Sequence, residues 1–301
     1  MIAQAFVLGA GLGTRLRPLT AHCPKPLIPV ANRPLLTYAF DHLLGAGVER
    51  FVVNTHWRAG AYPRAFPDAK YRGAPIVFRE ENPEVLETAG GIKNVEDVLR
   101  ADPFWVYNGD ILSTLPLAPA LAAHREAGNE VTLVLRSSGG PLQVACESGR
   151  VLDIGARLGC AGSFLFTGIY LVEPAFLARI PAATKISVVP IFIEMIRTGA
   201  KLGGVVIDKG EWFDLGSRDQ YLAVHRQLGG PWIDRAAQVA ADATVTGASA
   251  IGAGAIVGAG ARVHDSLVWS GGEIAAGSDV ERCIVVGGRC AAGVLRDADV
   301  A

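Results

Sequence analysis

The sequence predicts an α/β domain followed by a short left-handed parallel β-helix, and three observations carry that expectation. Short apolar runs rich in branched and aromatic residues alternate with segments of helical spacing through the first two thirds of the chain. A glycine-rich turn follows the first of these runs. Over the last sixty or so residues Gly and Ala dominate, and branched aliphatics return at every sixth position. With 301 residues, 50% of them hydrophobic and 19% charged, the chain can bury a large core.

The strand-like runs are AFVL (5–8), RFVVN (50–54), PIVF (75–78), FWVY (104–107), VTLVLR (131–136) and FLFTGIYLV (164–172). The clearest helix follows Pro34, where Leu35, Leu36, Ala39, Phe40, Leu43 and Leu44 fall at spacings of three and four, with Gly45 as its stop. Such a helix covers one face of a parallel sheet, and ligands of open α/β sheets sit beyond the carboxyl ends of the strands. The residues just after AFVL and FWVY are therefore the first places to look for chemistry.

In the tail, Val239, Val245, Ile251, Val257 and Val263 keep a period of six; after a slip of one residue through Val268, the beat returns at Ile274, Val280 and Val286. A flexible linker has no reason to hold that register, whereas a triangular coil of three hexads does. The expected domains are residues 1–229 and 230–301, with the boundary near Gly229 to Pro231.

A formal charge of −1 without a Lys/Arg run argues against nucleic acid or an anionic membrane as partner and leaves a small molecule. The start, MIAQAFVLGAG, reads as a buried strand rather than a signal peptide, and no apolar run approaches the roughly 20 residues of a membrane span. Five cysteines without a C-x-x-C pair suit reduced, buried thiols in the cytoplasm.

The first strand leads into GAGLGTRLRPLT (9–20) and then CPKPLIPV (23–30). The glycines at 9, 11 and 13 fit neither the dinucleotide nor the P-loop spacing. The physics is still that of anion binding: glycines let backbone amides approach oxygens, and Arg15 and Lys25 supply positive charge. Asp110 closes FWVYNGD and Asp214 lies in GEWFDLGS, both at strand ends. Taken alone, each aspartate is as well explained as a turn former or helix cap.

Residues 8–26 match, almost throughout, L-G-x-G-x-G-T-R-L-x-P-L-T-x-x-x-P-K-P, and on that match the chain resembles the sugar-1-phosphate nucleotidyltransferases, which make NDP-sugars. The resemblance implies a Rossmann-like mixed sheet of the nucleotide-diphospho-sugar transferase type. It also implies a reaction in which a nucleoside triphosphate and a sugar 1-phosphate give an NDP-sugar and pyrophosphate, with Mg²⁺ held by Asp110 and Asp214. Arg15, Lys25 and Asp110 become the implied catalytic residues. Leu8, Gly9, Ala10, Gly11, Gly13 and Thr14, with Arg15, become the implied triphosphate cradle. Glu87, Thr88 and Gly90 are the implied contacts to base and ribose, Asn108 a further implied nucleotide contact, and Lys25, Thr167 and Gly168 the implied contacts to the sugar phosphate. ETAGGI (87–92) is closest in wording to the branches that pair GTP with mannose 1-phosphate or UTP with a muramate-type sugar phosphate.

One departure is that many members carry E-K-P before the 164–172 strand, and this chain has DIGARLG (153–159); Arg157 is the candidate substitute for the missing lysine, the alternative being a solvated loop arginine. Two rival readings fit the same residues. Hexapeptide coils also serve as acyltransferases with a histidine between subunits, for which His264 is the candidate, and a silent paralogue could sense nucleotide sugars without turnover. The Gly/Ala-rich coil faces suit packing into a homo-oligomer.

Overall fold

The computed structural model describes residues 1–301. Its contacts divide the chain into two compact units, Met1–Leu12 with Leu36–Phe213, and Gly13–Leu35 with Asp214–Ala301.

In the first unit every run singled out in the sequence is a strand. In chain order the main elements are β1 (Gln4–Leu8), α1 (Leu36–Gly45), β2 (Arg50–Thr55), β3 (Ala74–Glu80), α2 (Glu87–Lys93), β4 (Phe104–Asn108), β5 (Ile111–Ser113), α3 (Ala118–Ala127), β6 (Val131–Arg136), β7 (Val144–Glu147), β8 (Arg150–Ile154), β9 (Leu165–Val172), α4 (Val188–Arg197) and β10 (Leu202–Val206). They form a sheet in the order β7-β8-β10-β6-β9-β4-β1-β2-β3, with Lys70–Tyr71 on the outer edge of β3. β4, β1, β2 and β3 run parallel, while β9 runs antiparallel to both β4 and β6, so the sheet is mixed. The central strands are buried on both faces, which is why Phe6, Val52, Val106 and Tyr170 stand in near-continuous apolar runs rather than alternating ones. On the flanks, Ser187 caps α4 by accepting from the Val189 amide at 3.3 Å, and α4 sets Val188, Phe192 and Met195 into the core.

The second unit holds α5 (Arg218–Leu228), capped by Ser217, and the hexapeptide coils. Asn32 donates to the carbonyls of Trp232 and Ile251, and the Tyr221 hydroxyl donates to the Pro29 carbonyl. Three stacks of short parallel strands form the faces of the left-handed β-helix, and Ile251, Val257, Val263, Val268, Ile274 and Val280 fill it.

The period is not uniform. Ile233 pairs with Ile251, Ile251 with Val268, Val268 with Val285, and Val285 with Val300, so the coil shortens from three full hexads to seventeen and then to fifteen residues. This corrects the expected inward position at Val286: Val285 is the buried residue and Val286 only half-buried. The slip is not a single event, because the corner drops a residue in successive coils. Asp265, Arg282 and Asp297 turn it with left-handed backbone, and Ser249, Ser266 and Cys283 stack behind, the Ser266 amide donating to Ser249 Oγ at 3.1 Å and the Cys283 amide to Ser266 Oγ at 3.0 Å.

All five cysteines are free thiols, but burial accounts for only some: Cys283 is buried, Cys23 and Cys146 are half-buried, and Cys160 and Cys290 are exposed. No helix is long and apolar enough to cross a membrane.

Candidate active site

The turn after β1 is built by bonds made inside the first unit. The Gly9 amide donates to Asn54 Oδ1 at 2.8 Å, and the Gly9 carbonyl accepts from the Tyr62 hydroxyl at 2.7 Å. A Cβ at Gly9 would lie 2.6 Å from the Asn54 carbonyl oxygen, so glycine here lets the turn press against β2. Ala10 is buried beside it, whereas at Gly11 nothing in the chain lies within 4 Å of where a Cβ would stand. Gly9 therefore serves packing, and Gly11 opens outward.

Asn54 passes the contact on. Its Nδ2 donates to Glu81 Oε1 at 2.7 Å, and Glu81 Oε2 accepts from the Leu86 amide at 2.7 Å. Burial pushes the Glu81 carboxyl above its usual range, while the bonds from Asn54 and Leu86 and the nearby His56 pull it back. Neither Asn54 nor Glu81 was singled out in the sequence; each looks like the polar end of a strand.

Leu86 opens the segment that carries Glu87, Thr88 and Gly90. The two glycines of ETAGGI lie inside α2 rather than at its start, and the Ala89 and Gly90 amides both donate to the Ile186 carbonyl at 3.0 and 3.1 Å. These two amides are thus already paired within the fold. Thr88 Oγ1 accepts from the Val188 amide at 2.7 Å, tying this segment to the start of α4. Glu87 is exposed with left-handed backbone at φ +61°, a conformation costly for a residue with a Cβ.

After β4, the Gly109 amide donates to the Leu8 carbonyl at 2.9 Å, which fixes the ends of β1 and β4 side by side. Asn108 ends β4 and Asp110 stands in the turn to β5, half-buried. Gly168 sits at a bulge in β9 with φ +79°, where any Cβ would overlap the Asn108 amide. Asn108 and Gly168 are therefore neighbours. Thr167 is buried; its hydroxyl donates to the Val134 carbonyl at 2.8 Å and its own carbonyl accepts from Trp212 Nε1 at 2.9 Å, so it shapes the bulge. Arg157 is exposed in a turn whose backbone Asp153 holds by accepting from the Arg157, Leu158 and Cys160 amides.

In the second unit Gly13 turns with φ +61° over Lys25 and Thr20, and Thr20 Oγ1 donates to its carbonyl at 2.7 Å. The short helical turn Thr14–Leu16 then presents Arg15, whose side chain is 71% exposed. Lys25 is almost fully enclosed, its Nζ 3.7 Å from Asp214 Oδ1, and Arg15 Nη2 lies 3.9 Å from Asp214 Oδ2. One carboxylate thus faces two cations. A Cβ at Gly216 would come within 2.8 Å of the Arg15 guanidinium, which is the steric reason for the glycine after Asp214. In the coil, His264 is exposed, with Nδ1 3.0 Å from the Thr246 hydroxyl.

The glycine turn after the first strand of the first unit, and in the second unit an arginine and a buried lysine facing one aspartate, are each suited to phosphate esters. Residues 4–141 match the family model described as "Nucleotidyl transferase". The chain is 32% identical over 301 residues to a mannose-1-phosphate guanylyltransferase of Mycobacterium tuberculosis, an alignment covering 93% of this chain and 83% of that protein. It is 27% identical over 311 residues to a probable mannose-1-phosphate guanylyltransferase 3 of Oryza sativa subsp. japonica, covering 95% and 81%. The inositol-1-phosphate CTP transferase of T. maritima shares the fold, with a TM-score of 0.62 at 21% identity over 73% of this chain and 91% of that one. The chain belongs to the sugar-1-phosphate nucleotidyltransferase family, enzymes that join a nucleoside triphosphate to a sugar 1-phosphate with release of pyrophosphate.

Proposed function

We propose that this chain forms GDP-mannose from GTP and mannose 1-phosphate. The observation that carries the choice of pair is the likeness, over nearly the whole chain, to a protein named for that reaction. An oxygen of the sugar phosphate attacks the α-phosphorus of the triphosphate; the new P–O bond forms as the bond to the β-phosphate bridging oxygen breaks, and pyrophosphate carries that oxygen away. The attacking oxygen is already ionised near neutral pH, so the protein needs no general base. Its work is positioning and neutralisation of charge.

Arg15, exposed on a short helical turn, takes the leaving pyrophosphate, and Lys25 bridges the reacting phosphates. The outward opening at Gly11 supports a triphosphate there, because a side chain would obstruct a close ligand. Glu87, Thr88 and Asn108 contact the nucleoside, Gly90 holds the segment of Glu87 and Thr88 against Ile186 rather than touching the nucleoside, and Gly168 with Thr167 and Arg157 borders the sugar phosphate. Asp110 in the first unit and Asp214 in the second each fit a Mg²⁺ ligand, as carboxylates that keep partial access to solvent; Mg²⁺ is held by one or two carboxylates with phosphate oxygens and water. The ion when bound shields the triphosphate and polarises the α-phosphorus. We further infer a cytoplasmic enzyme, residues 1–229 as the catalytic domain, and self-association through the 230–301 β-helix.

The test is a pyrophosphate-release screen crossing GTP, UTP, dTTP, CTP and ATP with mannose, glucose, N-acetylglucosamine, muramate-type and heptose 1-phosphates. GTP with mannose 1-phosphate should give the highest kcat/KM. A higher value for UTP with a muramate-type substrate would replace this assignment.

A further inference from the structure

The chain from Gly9 through Asn54 and Glu81 to Leu86 has no role in the reaction as described so far, yet it joins the two segments assigned to different parts of the nucleotide. Both oxygens of a carboxylate that is 1% exposed are committed: one to the Asn54 amide group, the other to the Leu86 backbone amide, each at 2.7 Å. The far end of Asn54 accepts from Gly9 at 2.8 Å. The backbone of Glu81 is fixed as well, its amide donating to the Thr55 carbonyl at 2.7 Å and its carbonyl within 2.8 Å of His56 Nδ1. Gly91 completes the enclosure, since a Cβ there would lie 2.7 Å from Glu81 Oε1 and 2.8 Å from Asn54 Nδ2.

Buried carboxylates are costly unless every oxygen is matched, and a merely structural link between two loops is met more cheaply by apolar packing. A carboxylate bonded to two donors gives something packing does not, a fixed direction for each amide. We propose that Glu81 is a positioning residue that couples the triphosphate turn to the base-reading segment, so that its two oxygens set the angle at which Leu86, Glu87 and Thr88 meet the base. The inference rests on the nucleotidyl-transfer reading above and adds a determinant of base selectivity that touches no substrate.

The Glu81→Gln variant tests this with almost no change in shape. A glutamine has a single acceptor oxygen, so it can satisfy Asn54 or Leu86 but not both. We expect kcat/KM for the preferred triphosphate to fall by about tenfold more than for the next best, since pocket contacts discriminate on that scale. A fall by one common factor for all five triphosphates, or no change, overturns the coupling. If Glu81→Gln does not fold, Asn54→Ala cuts the same chain on the other side and is judged by the same ratio. Independently, amide exchange on the wild-type protein should show Gly9 and Leu86 slowing together when GTP is added; slowing at Gly9 alone overturns the proposal. A wild-type chain that turns over none of the five triphosphates overturns the reading beneath it, and the coupling with it.

Discussion

Lys25 shows at the scale of one residue how the phosphate chemistry is prepared before any substrate arrives. An ammonium enclosed to this degree needs a counter-charge, and Asp214 supplies it at 3.7 Å while Arg15 stands at 3.9 Å on the same carboxylate. Asp214 keeps 31% of its side chain exposed, so water can still solvate it if the lysine is lost. That exposure decides between two outcomes for Lys25→Met. Removing one partner of a fully buried pair costs about 3–5 kcal/mol, whereas a solvated partner tolerates the loss far better. We expect Lys25→Met to unfold within about 1 kcal/mol of wild type and to lose about 10²-fold in kcat, measured by thermal unfolding and pyrophosphate release. The P-K-P motif made this lysine legible in the sequence. Asn54 and Glu81 were not legible, because a polar residue ending a strand carries no mark of the partner it will meet across a fold.

Among the elements, α5 holds the segment that carries Lys25 through a histidine that must stay neutral. His225 Nδ1 donates to the Tyr221 carbonyl at 2.8 Å, and its Nε2 accepts from the Ala31 amide at 3.1 Å. Protonation would turn a donor against that amide, and burial accordingly brings the His225 pKa down to about 4. A base whose pKa is lower in the folded state gives stability that is complete above its unfolded value near 6.5 and is lost as pH falls from there toward 4. The span corresponds to about 3 kcal/mol. Thermal unfolding of the wild type should drop across that window, and His225→Gln, which can still accept from Ala31, should drop less; equal slopes would contradict the account.

The central strands and α1 were legible because their apolar runs are long and unbroken. β7 and β10 were not: VACE is short, and LGGVV is broken by two glycines at which a Cβ would strike Asn129 and Cys146. The hexapeptide register was legible through Val280. It failed at Val286 because a period only reveals corners of constant length, and here Asp265 and Arg282 each turn one residue early.

At the scale of the whole molecule, a linear boundary is a natural reading of a composition that changes near residue 230, but compactness follows contacts rather than order. The stretch Gly13–Leu35 joins the coils and α5 in one unit, because Ala31, Asn32 and Pro29 find their hydrogen-bond partners there. The signature that made the family legible therefore falls partly in each unit, residues 8–12 in the first and 13–26 in the second.

The most direct test of nucleotidyl transfer by this chain is pyrophosphorolysis of GDP-mannose with Mg²⁺, comparing wild type with Asp110→Ala. Asp110 follows a turn already fixed by the Gly109 to Leu8 bond, so the variant should fold and melt close to wild type. The account predicts steady GTP formation by the wild type and a fall of about 10³-fold in the variant. A folded Asp110→Ala protein that makes GTP at the wild-type rate would contradict it.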